Sequence, residues 1–345
     1  MITAKPFLAW PDTGLVDSLR KLAPGLLLAG TIAFAAKFVS AEYGGPVILL
    51  ALLLGMAFNF LSSSQDCAPG IDFASRSVLR IGVVLMGAAI TMENIVDLGL
   101  STFLLVACGL TFALIGGYWI GRLFGLKPEH AILTAGSVGI CGASAAMAIS
   151  CVLSKSKETE QNTLHTVVGV TTLSTLAMVL YPLLTRFSGF DDVQAGTYLG
   201  ATIHDVAQVI GAGYLISDEA GQTAAIVKLT RVAMLAPIVV MIALFIKSRG
   251  QGSGKPSKTP GIPLFVLGFV ALMIANSLGW LPRGSSEIMS DAARWCLVIA
   301  VAGLGVKTSV RDLIGMGHKP VLVLCVQTAA LAAFAWLGLM LIAAL

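Results

Sequence analysis

Apolar residues gather in long runs separated by short polar stretches. The runs fall at about 22–39, 45–63, 77–92, 100–121, 130–153, 163–185, 196–216, 222–246, 262–280, 292–306 and 320–345. About 20 residues of helix cross the hydrocarbon core of a bilayer. The pattern therefore predicts an all-α polytopic membrane protein with about 10–11 transmembrane helices. Connections between runs are too short for a soluble domain. The longest spans residues 248–260, and its Gly, Ser, Pro and Lys content makes it a flexible polar linker. It divides a single membrane domain, 1–345, into an N-terminal part, 1–250, and a C-terminal part, 261–345.

Composition supports the pattern. Of the chain, 57% is hydrophobic and 12% charged, which is too few charges to coat several soluble domains. Disorder and nucleic-acid binding are excluded on the same ground. Charge placement then gives an orientation, because cytoplasmic loops collect Lys and Arg. With eleven crossings and the N-terminus in the cytoplasm, Lys5, Arg20, Lys21, Arg76, Arg122, Lys127, Arg186 and the 247–258 cluster fall inside. Lys155 and Lys157 fit this arrangement badly. They move inside if runs 130–153 and 196–216 are re-entrant hairpins. The leader contains Pro6, Pro11, Asp12 and Asp17, unlike a signal peptide, so the first run is expected to stay as a helix. The six cysteines form no C-x-x-C pair and read as packing residues, with Cys141 as the exception.

Gly87–Gly99 and Gly303–Gly315 echo one another. Each begins with Gly at the end of an apolar run and passes through a polar stretch into an amphipathic tail. An odd number of crossings separates them, so the copies would be inverted, as in many secondary transporters.

Four places inside the runs carry candidate chemistry. In Thr134–Ala148, Gly136, Gly139 and Gly142 recur every three residues beside Ser137, Cys141 and Ser144. Each Gly costs about 1 kcal/mol against Ala within a helix, so this helix is expected to break. A break would expose N–H groups that favour an anion; the alternative is a small-residue packing face. In Gly200–Gly213, His204, Asp205 and Gln208 sit in an otherwise apolar run, with His204 and Gln208 four apart on one helix face. An intramembrane charge normally meets a polar interior or a partner, so His204 or Asp205 is a candidate proton or coupling-ion site. Lys228 and Arg231, three apart, suit an anion with several oxygens, or an ion pair with Asp205, or snorkelling. Finally, Gly303, Gly305, Lys307 and Thr308 look like a second broken helix, with an ordinary end charge at Lys307 as the alternative.

There is no P-loop, H-E-x-x-H or G-x-S-x-G motif, so the chain does not read as an enzyme. No metal site or cofactor is expected. The motifs Ile140–Ala145, Ala201–Asp205 and Val227–Arg231 occur in an order and at a spacing that resemble the YeiH family of bacterial sulfate-exporter-type proteins. The resemblance implies an inner-membrane protein with inverted repeats and discontinuous helices, like sodium/proton antiporters and bile-acid symporters. The sequence departs from the family pattern at Leu85–Thr91, which lacks an Arg, at Ser150–Val152, which lacks a Pro, and at Val206–Gln208, which lacks hydroxyls. These departures weigh against sulfate itself.

The expected function is secondary transport of a small anion such as a sulfur oxyanion or sulfonate, coupled to protons or sodium. Ser137, Gly139, Cys141, Gly142, Ser144, His204, Gln208, Lys228 and Arg231 would line the site. Expected partners are the anion, the lipid bilayer, H+ or Na+, and a second copy of the chain. Two other readings stand beside it. One is a cation/proton antiporter using Asp205, and the other is a thiol redox protein using Cys141 and Cys151.

Overall fold

Long apolar runs leave the backbone of this chain only one economical solution in lipid. Every N–H and C=O must be bonded within the segment, and the helix does this. The computed structural model describes residues 14–43, 47–154, 156–248, 264–282, 284–308 and 318–344. Among these, all regular structure is helical: α1 (Gly14–Tyr43), α2 (Val47–Ala57), α3 (Ala68–Phe73), α4 (Leu79–Met86), α5 (Met92–Asp97), α6 (Gly99–Leu123), α7 (Pro128–Gly139), α8 (Ala143–Ser150), α9 (Lys157–Phe187), α10 (Asp192–Thr202), α11 (Val206–Tyr214), α12 (Asp218–Ala233), α13 (Leu235–Ser248), α14 (Leu264–Ser277), α15 (Ser285–Lys307) and α16 (His318–Ala344). Six segments among the described residues are long and apolar enough to cross a membrane: Arg20–Tyr43, Gly99–Leu123, Lys157–Phe187, Asp218–Leu244, Ser285–Lys307 and Lys319–Ala343. The chain is a multi-pass helical membrane protein.

The helices gather into two units. The first holds residues 1–79 and 298–307. Here α1 meets α3 where Gly25 lies against Gly70, and α2 meets α15 where Gly55 lies against Gly305. Asn59 donates to the Val306 carbonyl at 2.8 Å, and Lys307 pairs with Asp72 at 2.6 Å. α15 runs unbroken through Gly303 and Gly305 to Lys307. No helix break is therefore found at these glycines, which serve close approach instead: Gly303 faces Ala74, and Gly305 faces the Leu52 carbonyl. Thr308 follows the helix and is buried. The rest of this echo, 309–315, lies outside the described residues, as does the linker from 249 on.

The second unit holds residues 80–297 and 308–345. Its core is α6, α9, α12 and α16 around two hairpins. Hairpin 1 is α7 followed by α8, and the chain turns back between them. Ser154, beyond the end of α8, bonds Glu129 in the first turn of α7 at 2.7 Å. Gly136 faces Ile149 midway along. Twelve residues of α7 reach about 18 Å, roughly the middle of the bilayer core. Hairpin 2 is α10 followed by α11. Gly196, early in α10, and Gly213, late in α11, both pack against Ala220 at the start of α12.

Thus runs 130–153 and 196–216 enter and leave on one side each, and neither crosses. The re-entrant variant of the sequence reading holds, and the full count of eleven crossings does not. The long helix α9, about 46 Å at 1.5 Å per residue, carries the chain from the base of hairpin 1 to the base of hairpin 2. The hairpins therefore enter from opposite sides and meet tip to tip. Lys157 falls on the side of Lys127, with which its neighbour Glu158 pairs at 2.7 Å, and Arg186 falls on the other.

Candidate functional site

The glycines of hairpin 1 act as the sequence suggested. α7 ends at Gly139, and the Gly142 N–H reaches back to the Ser137 carbonyl at 2.9 Å. Gly142 takes φ +62° and ψ −122°, a conformation open to Gly and strained for other residues. α8 then starts at Ala143 with no side-chain cap and no acid in its first turn. Ala143 is half-buried and Ser144 exposed. The first N–H groups of a helix have no intrahelical carbonyl, so this end presents donors. The Cys141 sulfur, itself buried, faces one of them, the Ala145 N–H. Ser137 is fully buried but bonds its own helix, at the Leu133 carbonyl.

Hairpin 2 turns differently. Ile203 and Asp205 are extended with a bend at His204, and Asp205 caps α11 by accepting from the Ala207 N–H at 2.9 Å. The Asp205 N–H donates to Ser174 on α9 at 3.0 Å. His204 consequently lies in the turn and not on α11. The shared helix face expected for His204 and Gln208 is not formed, because the helix starts two residues after His204. His204 is fully buried. Its Nε2 meets the Thr328 hydroxyl on α16 at 2.9 Å, while Nδ1 has no partner of good geometry and the Val138 carbonyl lies near the ring. Gln208 donates to Thr175 at 2.7 Å, and its Oε1 has no partner.

The two cations come from α12, which packs along both arms of hairpin 2. Gly200 lets α12 approach, lying against the Ala224 carbonyl and Val227. Lys228 and Arg231 are 0% and 2% exposed. Lys228 donates to the Ile140 carbonyl at 2.8 Å and the Ile203 carbonyl at 2.9 Å, one on each hairpin tip. Arg231 donates from Nε to Gly139 at 3.0 Å and from Nη1 to Gly200 at 3.0 Å and Ala201 at 2.6 Å. Its Nη2 reaches Val138 at 3.1 Å and also Gly139. A guanidinium has five N–H donors, and these five bonds use them.

The carbonyls so bonded are those left open at the ends of α7 and α10. The two cations therefore bind the negative ends of two half-helices that come from opposite sides. They do not point donors into an empty space, as direct anion ligands would. Asp205 lies close enough for its charge to act on that of Lys228.

The electrostatic balance at the tips follows. Each half-helix end carries about half a charge, positive at the N-terminus and negative at the C-terminus. Two ends of each kind meet here and cancel. Lys228 and Arg231, the two basic side chains here, stand against the single carboxylate of Asp205. The α8 N-terminus is the positive end that carries no carboxylate cap.

Of the residues singled out in the sequence, Gly139, Cys141, Gly142, Ser144, His204, Asp205, Gln208, Lys228 and Arg231 converge at the tips. Ser137 lies one turn away. Gly303, Gly305 and Lys307 belong to the first unit, and Thr308 is the first residue of the last segment of the second. The sequence reading missed Ser174 and Thr175 on α9 and Thr328 on α16. A signal was present, since Thr163, Thr166, Thr171, Thr172, Ser174 and Thr175 crowd one apolar run.

A family profile described as "Conserved hypothetical protein 698" matches residues 24–324. A UPF0324 membrane protein of Chlorobaculum tepidum is 45% identical over 310 residues, 90% of this chain and 87% of its own length. The UPF0324 membrane protein TauZ of Paracoccus denitrificans is 45% identical over 331 residues, 95% of this chain and 97% of its own. A UPF0324 membrane protein of Rhizobium meliloti is 44% identical over 337 residues, 96% and 95%.

Proposed function

The chain belongs to the YeiH-type family of UPF0324 membrane proteins, and on that premise we propose that it is a secondary active transporter of a small anion. The observation that carries the reading is the uncapped first turn of α8 at the hairpin tips, where the basic side chains of Lys228 and Arg231 are buried. An anion bound there would take N–H donors of Ala143 and Ser144 and the Ser144 hydroxyl. Lys228 and Arg231 would act on it through their charge, at short range and out of water. The substrate class is a sulfur oxyanion or sulfonate. The membrane is the bacterial inner membrane, with the N-terminus and the base of hairpin 1 in the cytoplasm. Of the cations that the eleven-crossing arrangement puts inside, Arg186 then falls outside, and Lys157 joins the cytoplasmic side.

Two hairpins from opposite sides give one site a route to each face, as alternating access requires. Asp205 and His204 would couple the cycle to protons or sodium. In this reading the protein is a carrier and not an enzyme.

Purified protein in liposomes should take up labelled sulfite, sulfate, taurine or sulfoacetate under an imposed proton or sodium gradient. Movement of no anion under either gradient would sink the proposal. The Asp205–Lys228 proximity supports a second reading, a cation/proton antiporter. It requires cation-dependent proton release that is insensitive to anions and lost in Asp205→Asn. A Cys141–Cys151 disulfide has no support: ten residues, most of them in α8, separate the thiols by about 15 Å, beyond the reach of a disulfide.

A further inference from the structure

A cavity of about 170 Å³ opens at the base of hairpin 1, lined by Lys127, Glu129, His130, Ser154, Glu158 and Asn162 among others. Its ionic groups are engaged at the rim: Lys127 pairs with Glu158, and Glu129 accepts from Ser154. His130 is different. It is 7% exposed, and its Nε2 has no hydrogen-bond partner. A buried polar atom without a partner is rare and calls for an explanation.

α9 packs against both arms of hairpin 1 and supplies the continuation. Thr159 and Asn162 line the cavity. One helical turn further, on the same face, comes Thr166, which is 1% exposed and whose hydroxyl also has no partner. One more turn brings Val170, which lies against Gly142 at the tip of hairpin 1, where His204 is the nearest neighbour. His204 Nδ1 is the third unpartnered atom in this order. From Asn162 to Val170 is about 12 Å along α9. The cavity and the hairpin tips are thus separated by two turns whose polar side chains beside this face are Thr163, bonded to the Thr159 carbonyl at 2.7 Å, and the unpartnered Thr166.

We infer that a narrow hydrated path runs from the base of hairpin 1 along α9 to His204, with Thr166 at its constriction, and that it delivers protons to the site from that side. Water joining two imidazoles and a hydroxyl would satisfy all three unpartnered atoms. The groups facing His130 are Lys127 and Glu129 from α7, and Glu158 and His165 from α9. Among the described residues, the segment after α8 contributes the hydroxyls of Ser154 and Ser156. Arg122 on α6 is turned to the Leu126 carbonyl. α16 brings the uncharged Gln327, bonded to Gly117 and Thr134. The inference rests on the transport reading only for the use of the path, since the path itself is a property of the fold.

Deuterium exchange at the imidazole C2 positions, read by mass spectrometry on the intact protein in lipid nanodiscs, tests it without substrate or gradient. His204 is expected to exchange within an order of magnitude of the half-buried His165. Thr166→Leu should slow His204 by at least an order of magnitude and leave His130 unchanged, while Thr166→Ser keeps the wild-type rate. Should Thr166→Leu fail to fold, Thr166→Val, which keeps the shape and removes the hydroxyl, should slow His204 in the same sense. A protected His204 in the wild type, or a fast one in both apolar variants, overturns the path. In liposomes, Thr166→Leu should lose proton-driven uptake and retain substrate counterflow. Failure of all anion movement with fast His204 exchange would remove the transport reading and leave the path standing.

Discussion

Arg231 directs five donors to backbone carbonyls on two hairpins. A lysine there has three donors on one nitrogen and cannot replace all five bonds. Arg231→Lys is therefore expected to cost about 2–5 kcal/mol, seen as a fall of several degrees in the unfolding temperature in detergent. An unchanged temperature would mean that these bonds are dispensable. Gly142 is the other sensitive residue. At φ +62°, Gly142→Ala should cost about 1–3 kcal/mol through backbone strain, since its methyl would meet His204 only at an ordinary 3.4 Å contact. The same thermal assay reads it, and a neutral result would argue against this turn. Both residues were conspicuous in the sequence, one as an intramembrane cation and one as part of a glycine triplet. The partners of Arg231 were not legible, because a carbonyl released by a helix break leaves no mark on residue type. The sequence therefore suggested an anion as partner where the fold supplies backbone.

At the scale of elements, α10 and α12 lie nearly backbone to backbone. A Cβ on Gly200 would meet the Ala224 carbonyl at 2.7 Å and Val227 at 2.7 Å. Neither can withdraw, because both belong to α12. Gly200→Val is expected to push α12 outward, draw Lys228 and Arg231 away from the tips, and abolish both monodispersity on size exclusion and anion-induced thermal stabilisation. Retention of a sharp peak with full stabilisation would contradict this packing. The break in hairpin 1 was legible from Gly136, Gly139 and Gly142. The reversal of direction was not, since a folded hairpin and a straight crossing use apolar runs of the same length. Only the misfit of Lys155 and Lys157 to the charge rule hinted at it. Hairpin 2 offered less, because its turn is made by Ile203–Asp205 and needs no glycine.

For the whole molecule, opposed hairpins make a labelling prediction. In a background without the six native cysteines, Lys127→Cys and Lys157→Cys should react with an impermeant thiol reagent from one side of the membrane. Asp191→Cys and Glu219→Cys should react from the other. Lys157 reacting from the side opposite Lys127 would return run 130–153 to a full crossing. The order of events during synthesis follows from the same cross-link by α12. Lys228 is 88 residues behind Ile140 in the chain. At about 5–20 residues per second, a ribosome delivers hairpin 1 on the order of 4–18 seconds before the lysine that will clasp it. For that interval a short, glycine-weakened segment sits in the membrane with its carbonyls unclaimed, and its persistence then depends on the insertion machinery more than on its own sequence. Hairpin 2 waits far less, because its Ile203 precedes Lys228 by 25 residues. The first hairpin is therefore the step at which slowed translation or a missing insertase should leave its imprint on the yield of folded protein.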